Sequence, residues 1–319
     1  MNNLSKAYTS IALTNYSLAF YNDAADFIAQ KILPIFPVQK QAGKVFSYGR
    51  DALRIVDTKR ATYGSYNKVN LMVEQASLYY LEDYGLYDEI ADEDIDNAEA
   101  AIDPEMDATE ALTQRLMLDM EKKLADVITD AAIITNNIGL TGGDKWNVPT
   151  TSDPFDDILT GRNAVNTATG KEANTLILGR SVLWTLTNHP LVRNRFPGSP
   201  KITPQMVIDS IGALFGFDQV LVGKVKYNNS NYGAATQALS SVRGNVAIVA
   251  YIENSPRKKS TTLGWTFAKQ SSRRVQRAGK TQIGKEALTN NIYSLIVVNM
   301  YYDQVIVDTD CAYLIYDIL

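Results

Sequence analysis

The chain has 319 residues, 45% of them apolar and 21% charged, and a formal net charge of −4. That composition supports a sizeable core in one large or two medium domains and excludes disorder as a global state. One cysteine, Cys311, excludes a disulfide framework within the chain, and one histidine, His189, leaves too few ligands for an ordinary zinc site.

Residues 1–30 lack the basic start and compact apolar run of a secretory signal. No apolar run reaches the length of about 18 residues that a membrane helix needs. A free cysteine fits synthesis in a reducing compartment. Residues 1–40 do not read as a domain of their own. A short helix is expected over 24–35, stopped at Pro34, and the run from Pro34 to Val38 must be extended because each proline fixes its own φ and biases its predecessor away from helix. So apolar a segment with no mass around it is expected to lie over another element or another subunit. Alternation predicts strands at 44–48 and 68–73. Between them lie Arg50, Arg54, Lys59 and Arg60, with Lys68 in the second strand, so the pair reads as a long basic hairpin. A two-stranded hairpin is marginal alone in water and should rest on something else.

The strongest helix signal covers 104–134. Asp103 is a cap, Pro104 suits the first turn, and Leu112, Leu116, Met120, Leu124, Val127 and Ala131 form one apolar stripe. At 1.5 Å per residue the element is roughly 45 Å long, a strut for an elongated domain. Glycines and prolines mark a loop over 139–154. A compact α/β unit follows, with helices at 156–168, 181–188 and 204–215, the last capped by Thr203, and strands at 175–178, 220–222 and 245–251. The end of the chain is strand-rich, at 293–298, 305–307 and 312–318, and these strands are expected in one central sheet.

Charge is unevenly placed. Residues 69–114 hold 14 acidic side chains and no Lys or Arg, whereas 254–285 hold nine basic ones and no Asp or Glu. The two regions are either separately solvated or meet, within a subunit or across an interface, where complementary charge sets register and partner choice. Sites for chemistry are scarce. Gly139 to Lys145 resembles a phosphate loop only superficially, because Asp144 separates Gly143 from Lys145 and repels an anion. His189 lacks a nucleophile elbow and reads as a helix-end residue. Cys311 lies in an apolar strand pattern and reads as core. Asp92, Glu93, Asp94 and Asp96 offer oxygen ligands without calcium-loop spacing, so a solvated or ion-paired run is expected and no cofactor. Arg257, Lys258, Lys259, Arg273, Arg274 and Arg277 suit protein contacts or sequence-independent contact with nucleic acid.

The order arm, basic hairpin, long helix, α/β insert and closing strands resembles the Hong Kong 97-type fold of tailed-phage major capsid proteins, an α+β fold. The wording is similar too: Tyr80 to Ile90 before the helix, Lys145-Trp146 followed by Ser152-Asp153-Pro154, Asn174 to Gly179, His189-Pro190, and Leu221 to Val225 with Tyr227-Asn228. The resemblance implies an N-arm over 1–40 and an E-loop over 41–79 lying on the adjacent subunit. It implies a P-domain over 80–153 and 256–319 with spine helix 104–134, and an A-domain over 154–255. The implied function is self-assembly as pentamers and hexamers into an icosahedral virion head around double-stranded DNA, with no catalysis. Scaffold, portal and head-completion or decoration proteins are the implied partners, with packaged DNA contacted non-specifically, no membrane, and synthesis in the host bacterial cytoplasm. The hairpin cations Arg50, Arg54, Lys59, Arg60 and Lys68 are expected to meet acidic surface such as Asp92, Glu93, Asp94 and Asp96 on a neighbour. An encapsulin-like shell shares the fold and is the first alternative. An α/β hydrolase or transferase lacks its motifs, and a tail-tube subunit lacks so long a helix.

Overall fold

The computed structural model describes residues 26–47, 54–60, 64, 66–69, 75–91, 93, 95, 103–195, 202–231, 236, 238–255, 261–269, 282–287 and 293–319. It is a mixed α+β fold built on two five-stranded sheets and one long helix.

Near the N-terminus a single helical turn, α1 (Ala29–Ile32), leads into β1 (Ile35–Val38). The described part of the helix expected over 24–35 is only this turn, because Pro34 forces extended backbone beyond it. Next come β2 (Ala42–Ser47) and β3 (Gln75–Tyr80), paired antiparallel from Ala42 opposite Tyr80 to Ser47 opposite Gln75. Of the strand expected at 68–73, Lys68 and Val69 are outside any strand and 70–73 lie outside the described residues; the described pairing runs from Gln75.

The long helix α2 (Pro104–Ile128) starts as expected, with the Asp103 carboxylate accepting the amides of Glu105 and Met106 at 3.1 and 3.2 Å. It ends six residues before the expected 134. Thr129 turns its hydroxyl onto the Ala125 carbonyl at 2.8 Å, and Asp130 accepts the Ala132 amide at 2.8 Å. The Asn137 amide then binds the carbonyls of Ala131 and Ile134. Short polar side chains thus offer the backbone a turn in place of another helical turn.

The first sheet contains β1, β11 (Gly264–Lys269), β13 (Tyr293–Ile306), β12 (Gln282–Ala287) and β4 (Glu82–Ala91). Strand β13 is its axis. It pairs antiparallel with β4 over ten residues and with β12 over six, then with β11 at its other end. Its burial alternates, with Ser294, Ile296, Val298, Met300 and Tyr302 inward, as a sheet covered on one face requires. Of these, Ile296, Val298, Met300 and Tyr302 pack on Leu112, Leu116, Met117 and Met120 of α2. On the opposite side of β11, Trp265 and Phe267 receive Phe36, Val45 and Tyr79, so the hairpin root is stacked onto the sheet.

The second sheet runs β5 (Asn137–Gly139), β14 (Ala312–Tyr316), β10 (Ala247–Ala250), β6 (Thr175–Gly179), β7 (Gln219–Gly223). On one face lie α3 (Pro154–Thr169), α4 (Arg180–Asn188) and α6 (Pro204–Phe215), burying Ile158, Val165, Leu186, Val207 and Ile211 against Leu176, Leu178 and Val249. On the other face α1 and the last turns of α2 bury Ile32, Leu124 and Ile128 against Ile177, Ile248 and Leu314. Covered on both faces, β6 is buried at every residue, which is why it reads as an unbroken apolar run. A one-turn helix α5 (Pro190–Arg193) follows α4, and a small hairpin of β8 (Lys226–Asn228) and β9 (Leu239–Ser241) projects from the sheet.

The strand-rich C-terminus does not form one central sheet. β13 belongs to the first and β14 to the second, because the turn at Thr309–Cys311 redirects the chain after Asp308 caps it. The second sheet also draws β5 and β14 from outside residues 154–255.

Candidate subunit interface

The β2–β3 hairpin carries the residues singled out by charge. Its described segments, 54–60 and 66–69, are exposed, and they hold Arg54, Lys59, Arg60 and Lys68. Ile55 is 98% exposed and Tyr66 81%. Val56 and Val69 are exposed as well, so these apolar side chains are left in water. Local contacts give the segment its shape: the Lys59 amide donates to Asp57 Oδ1 at 2.9 Å, the Asn67 side chain donates to the Asp57 carbonyl at 2.7 Å, and the Arg60 guanidinium lies 4.5 Å from the Tyr66 ring centroid. The root is held by Asp303, whose carboxylate accepts the Tyr80 amide at 2.8 Å.

Of the acidic residues expected to oppose the hairpin, Glu93 is exposed; Asp92, Asp94 and Asp96, like Arg50 of the hairpin itself, lie outside the described residues. The same negative character extends along β4, where Glu82, Asp83, Asp88 and Glu89 are exposed. Its effect is visible on neighbouring phenols. Tyr84 is pushed up to about 12 by burial and then by its hydrogen bond to Glu82, and Tyr301 is raised by Asp83 and then by burial. By register, Tyr87 and Glu89 share the sheet face turned away from α2 with Val297 and Leu295. Tyr87 is exposed, as is Tyr293 at the end of β13. Among the described residues, ion pairs away from the hairpin join Lys122 to Asp126, Lys123 to Asp119, Arg162 to Glu172, Lys224 to Asp26 and Arg243 to Glu121.

Three of the features that resembled chemistry make structural contacts, whereas Arg257, Lys258, Lys259, Arg273, Arg274 and Arg277 lie outside the described residues. In the Gly139–Lys145 stretch, Lys145 Nζ donates to the Leu319 carbonyl at 2.8 Å and the following Trp146 donates its amide to the Ile318 carbonyl at 2.9 Å, so the loop closes on the residues after the last strand. His189 is buried and caps α5: its Nδ1 accepts the Leu191 amide at 3.3 Å. Ser152 lies 3.1 Å from Nε2 and donates its single proton to the Val148 carbonyl, so the imidazole is the donor to Ser152 and the hydroxyl is no nucleophile. Burial lowers the His189 pKa. Cys311 is fully buried, and burial raises its pKa, which keeps the thiol protonated.

Sequence reasoning missed one cluster. Glu121 and Arg243 are both fully buried and ion-paired. The available signal was the position of Glu121, which falls on the inward face of α2 between Met117 and Leu124.

The mixed α+β fold is similar to that of solved phage capsid structures. Residues 74–293 match the family described as phage capsid protein, and the chain belongs to that family. Such proteins are structural subunits and not enzymes. Among its relatives, the major capsid protein of Burkholderia phage BcepMu is 27% identical over 255 residues, covering 75% of each chain. Among solved structures, a phage-related protein from Bordetella bronchiseptica RB50 superposes with a TM-score of 0.73 over 98% of both chains at 20% identity. The capsid of cyanophage P-SCSP1u gives 0.58 at 12% identity, covering 89% of this chain and 86% of its own. No described helix is long and apolar enough to cross a membrane.

Proposed function

We propose that this chain is the major subunit of a tailed-phage head, assembling as pentamers and hexamers into an icosahedral shell around double-stranded DNA. The carrying observation is the β2–β3 hairpin, which exposes Ile55, Val56, Tyr66 and Val69 together with Arg54, Lys59, Arg60 and Lys68. A two-stranded element of this kind needs a second surface to rest on, and in a self-assembling family that surface belongs to another copy. On this reading the domain scheme is of Hong Kong 97 type: 1–40 is the N-arm, 41–79 the E-loop, 80–153 and 256–319 the P-domain with α2 as its spine, and 154–255 the A-domain, whose sheet is completed by β5 and β14.

The cationic hairpin would meet negative surface on a neighbour, β4 and the stretch from Asp92 to Asp96. Distributed weak contacts of this sort make growth cooperative, because each hairpin is stabilised only once its neighbour is present. Scaffold, portal and decoration proteins would act on the same shell, packaged DNA would be met without sequence preference, and the subunit would be made in the host cytoplasm.

Negative-stain electron microscopy of the purified protein, alone and co-expressed with its neighbouring genes, tests this. Closed isometric shells, or rings of five and six, are expected. A monodisperse monomer under every condition overturns the reading, and shells filled with a co-purifying protein in place of DNA redirect it to a cargo container.

A further inference from the structure

The buried carboxylate of Glu121 joins three segments distant in sequence. Its Oε2 accepts the amides of Ile28 and Ala29 at 3.0 and 2.7 Å, 93 and 92 residues away, and its Oε1 pairs with Arg243, 122 residues away. The two amides open α1, whose own N-cap residue, Ile28, provides no side-chain acceptor. Glu121 thus caps from another helix a turn that cannot cap itself. Residues 26–38 then run as a strap across both sheets. Ile28, Ile32 and Leu33 pack with Ile177, Ile248 and Leu314 of the second sheet, and β1 adds in parallel to β11 of the first. Thr266 fastens the middle by donating to the Leu33 carbonyl at 2.9 Å.

Arg243 comes from the loop between β9 and β10, and space is kept for it. A Cβ on Gly223 would lie 3.1 to 3.4 Å from its side-chain carbons. Its Nε and Nη2 are buried and have no protein partner, so Glu121 is the one group that neutralises it among the described residues. A buried guanidinium without its carboxylate is strongly disfavoured, and so is the carboxylate without its guanidinium.

We propose that Glu121, Arg243 and the strap form one latch, in which docking of the strap and seating of the β9–β10 loop are mutually dependent. Coupling of this kind is reciprocal: whatever draws the strap off α2 loosens Arg243, and displacement of the loop loosens the strap. The state of the N-terminal segment is thereby communicated to the second sheet. The latch is a property of the single subunit and does not depend on the capsid reading.

Hydrogen exchange on the full chain tests it. In Arg243→Met, Glu121 is left as a buried carboxylate without its cation, which favours openings that hydrate it, so the amides of Ile28 and Ala29 should exchange at least about tenfold faster while that of Leu178 in β6 stays protected. In Glu121→Gln/Arg243→Met, where a neutral carbonyl still accepts the strap amides and no charge is left buried, protection at Ile28 and Ala29 should return. Unchanged strap exchange in Arg243→Met overturns the proposal. So does a rise at Ile28 and Ala29 matched at Leu178, or a folded double variant in which the strap stays open.

Discussion

Asp303 and Tyr80 are 223 residues apart, yet the Asp303 carboxylate accepts the Tyr80 amide at 2.8 Å. The bond fixes the base of the projecting hairpin to β13, and stacking of Tyr79 on Phe267 at 4.6 Å completes the joint. Burial raises the Asp303 pKa, and the Tyr80 amide opposes that shift by favouring the ionised form. Asp303→Ala should therefore cost about 1–2 kcal/mol in denaturant unfolding. Particle yield should fall by more than that loss implies, since the hairpin's angle is released, and Asp303→Asn, which keeps an acceptor, should recover most of it.

Reversing the hairpin's charge should separate assembly from folding. With Arg54, Lys59 and Arg60 all changed to Glu, circular dichroism and melting of the subunit should stay close to wild type, because these side chains are exposed. Shell yield by electron microscopy should drop sharply. Wild-type yield should also fall as salt is raised from about 0.05 to about 0.5 M, in line with screening of exposed charges. Equal yields from both proteins at low salt would remove the hairpin from the interface.

His189 predicts a pH dependence whose sign is fixed by its contacts. In the unfolded chain the imidazole takes a proton as the pH falls through about 6.5, its ordinary value. In the folded chain burial lowers the pKa, and Nδ1 faces the Leu191 N–H, where a second proton would meet a donor. Below that ordinary value the unfolded chain binds more protons, so this contribution to stability is complete above it and is lost as pH falls. Melting temperature should decline between pH 6.5 and 5 in wild type. In His189→Asn, which keeps a capping side chain without a titratable ring, the decline should be shallower.

Two packing variants should register in thermal and denaturant melts. A Cβ on Gly179 would sit 2.0 Å from the Gly244 carbonyl oxygen, so Gly179→Ala must shift backbone and should cost about 1–3 kcal/mol. Leu116→Ala opens a cavity between α2 and β13 and should cost about 3 kcal/mol.

Much of the fold was legible where pattern and capping agree. Asp103-Pro104, Thr203-Pro204 and the unbroken apolar run of β6 placed their elements to within a residue or two. The end of α2 was not, since the stripe continues through Val127 and Ala131 while the backbone is diverted by hydrogen bonds from Thr129, Asp130 and Asn137. Nor was the division of the C-terminal strands between two sheets, because β13 and β14 read alike and long-range pairing alone separates them. At the interface, the exposure of the hairpin followed from its charge. The latch did not, for Glu121 meets Arg243 only through tertiary packing, and local periodicity carries no trace of a partner 122 residues away.

The ten rungs between β13 and β4 have a mechanical consequence. Hydrogen bonds in an antiparallel ladder run perpendicular to the strands, so a pull along β13 loads those rungs in shear, all at once, instead of peeling them one after another. β12 grips the same stretch from its other side. The first sheet therefore resists sliding of its strands along the β13 axis more strongly than it resists their stepwise separation.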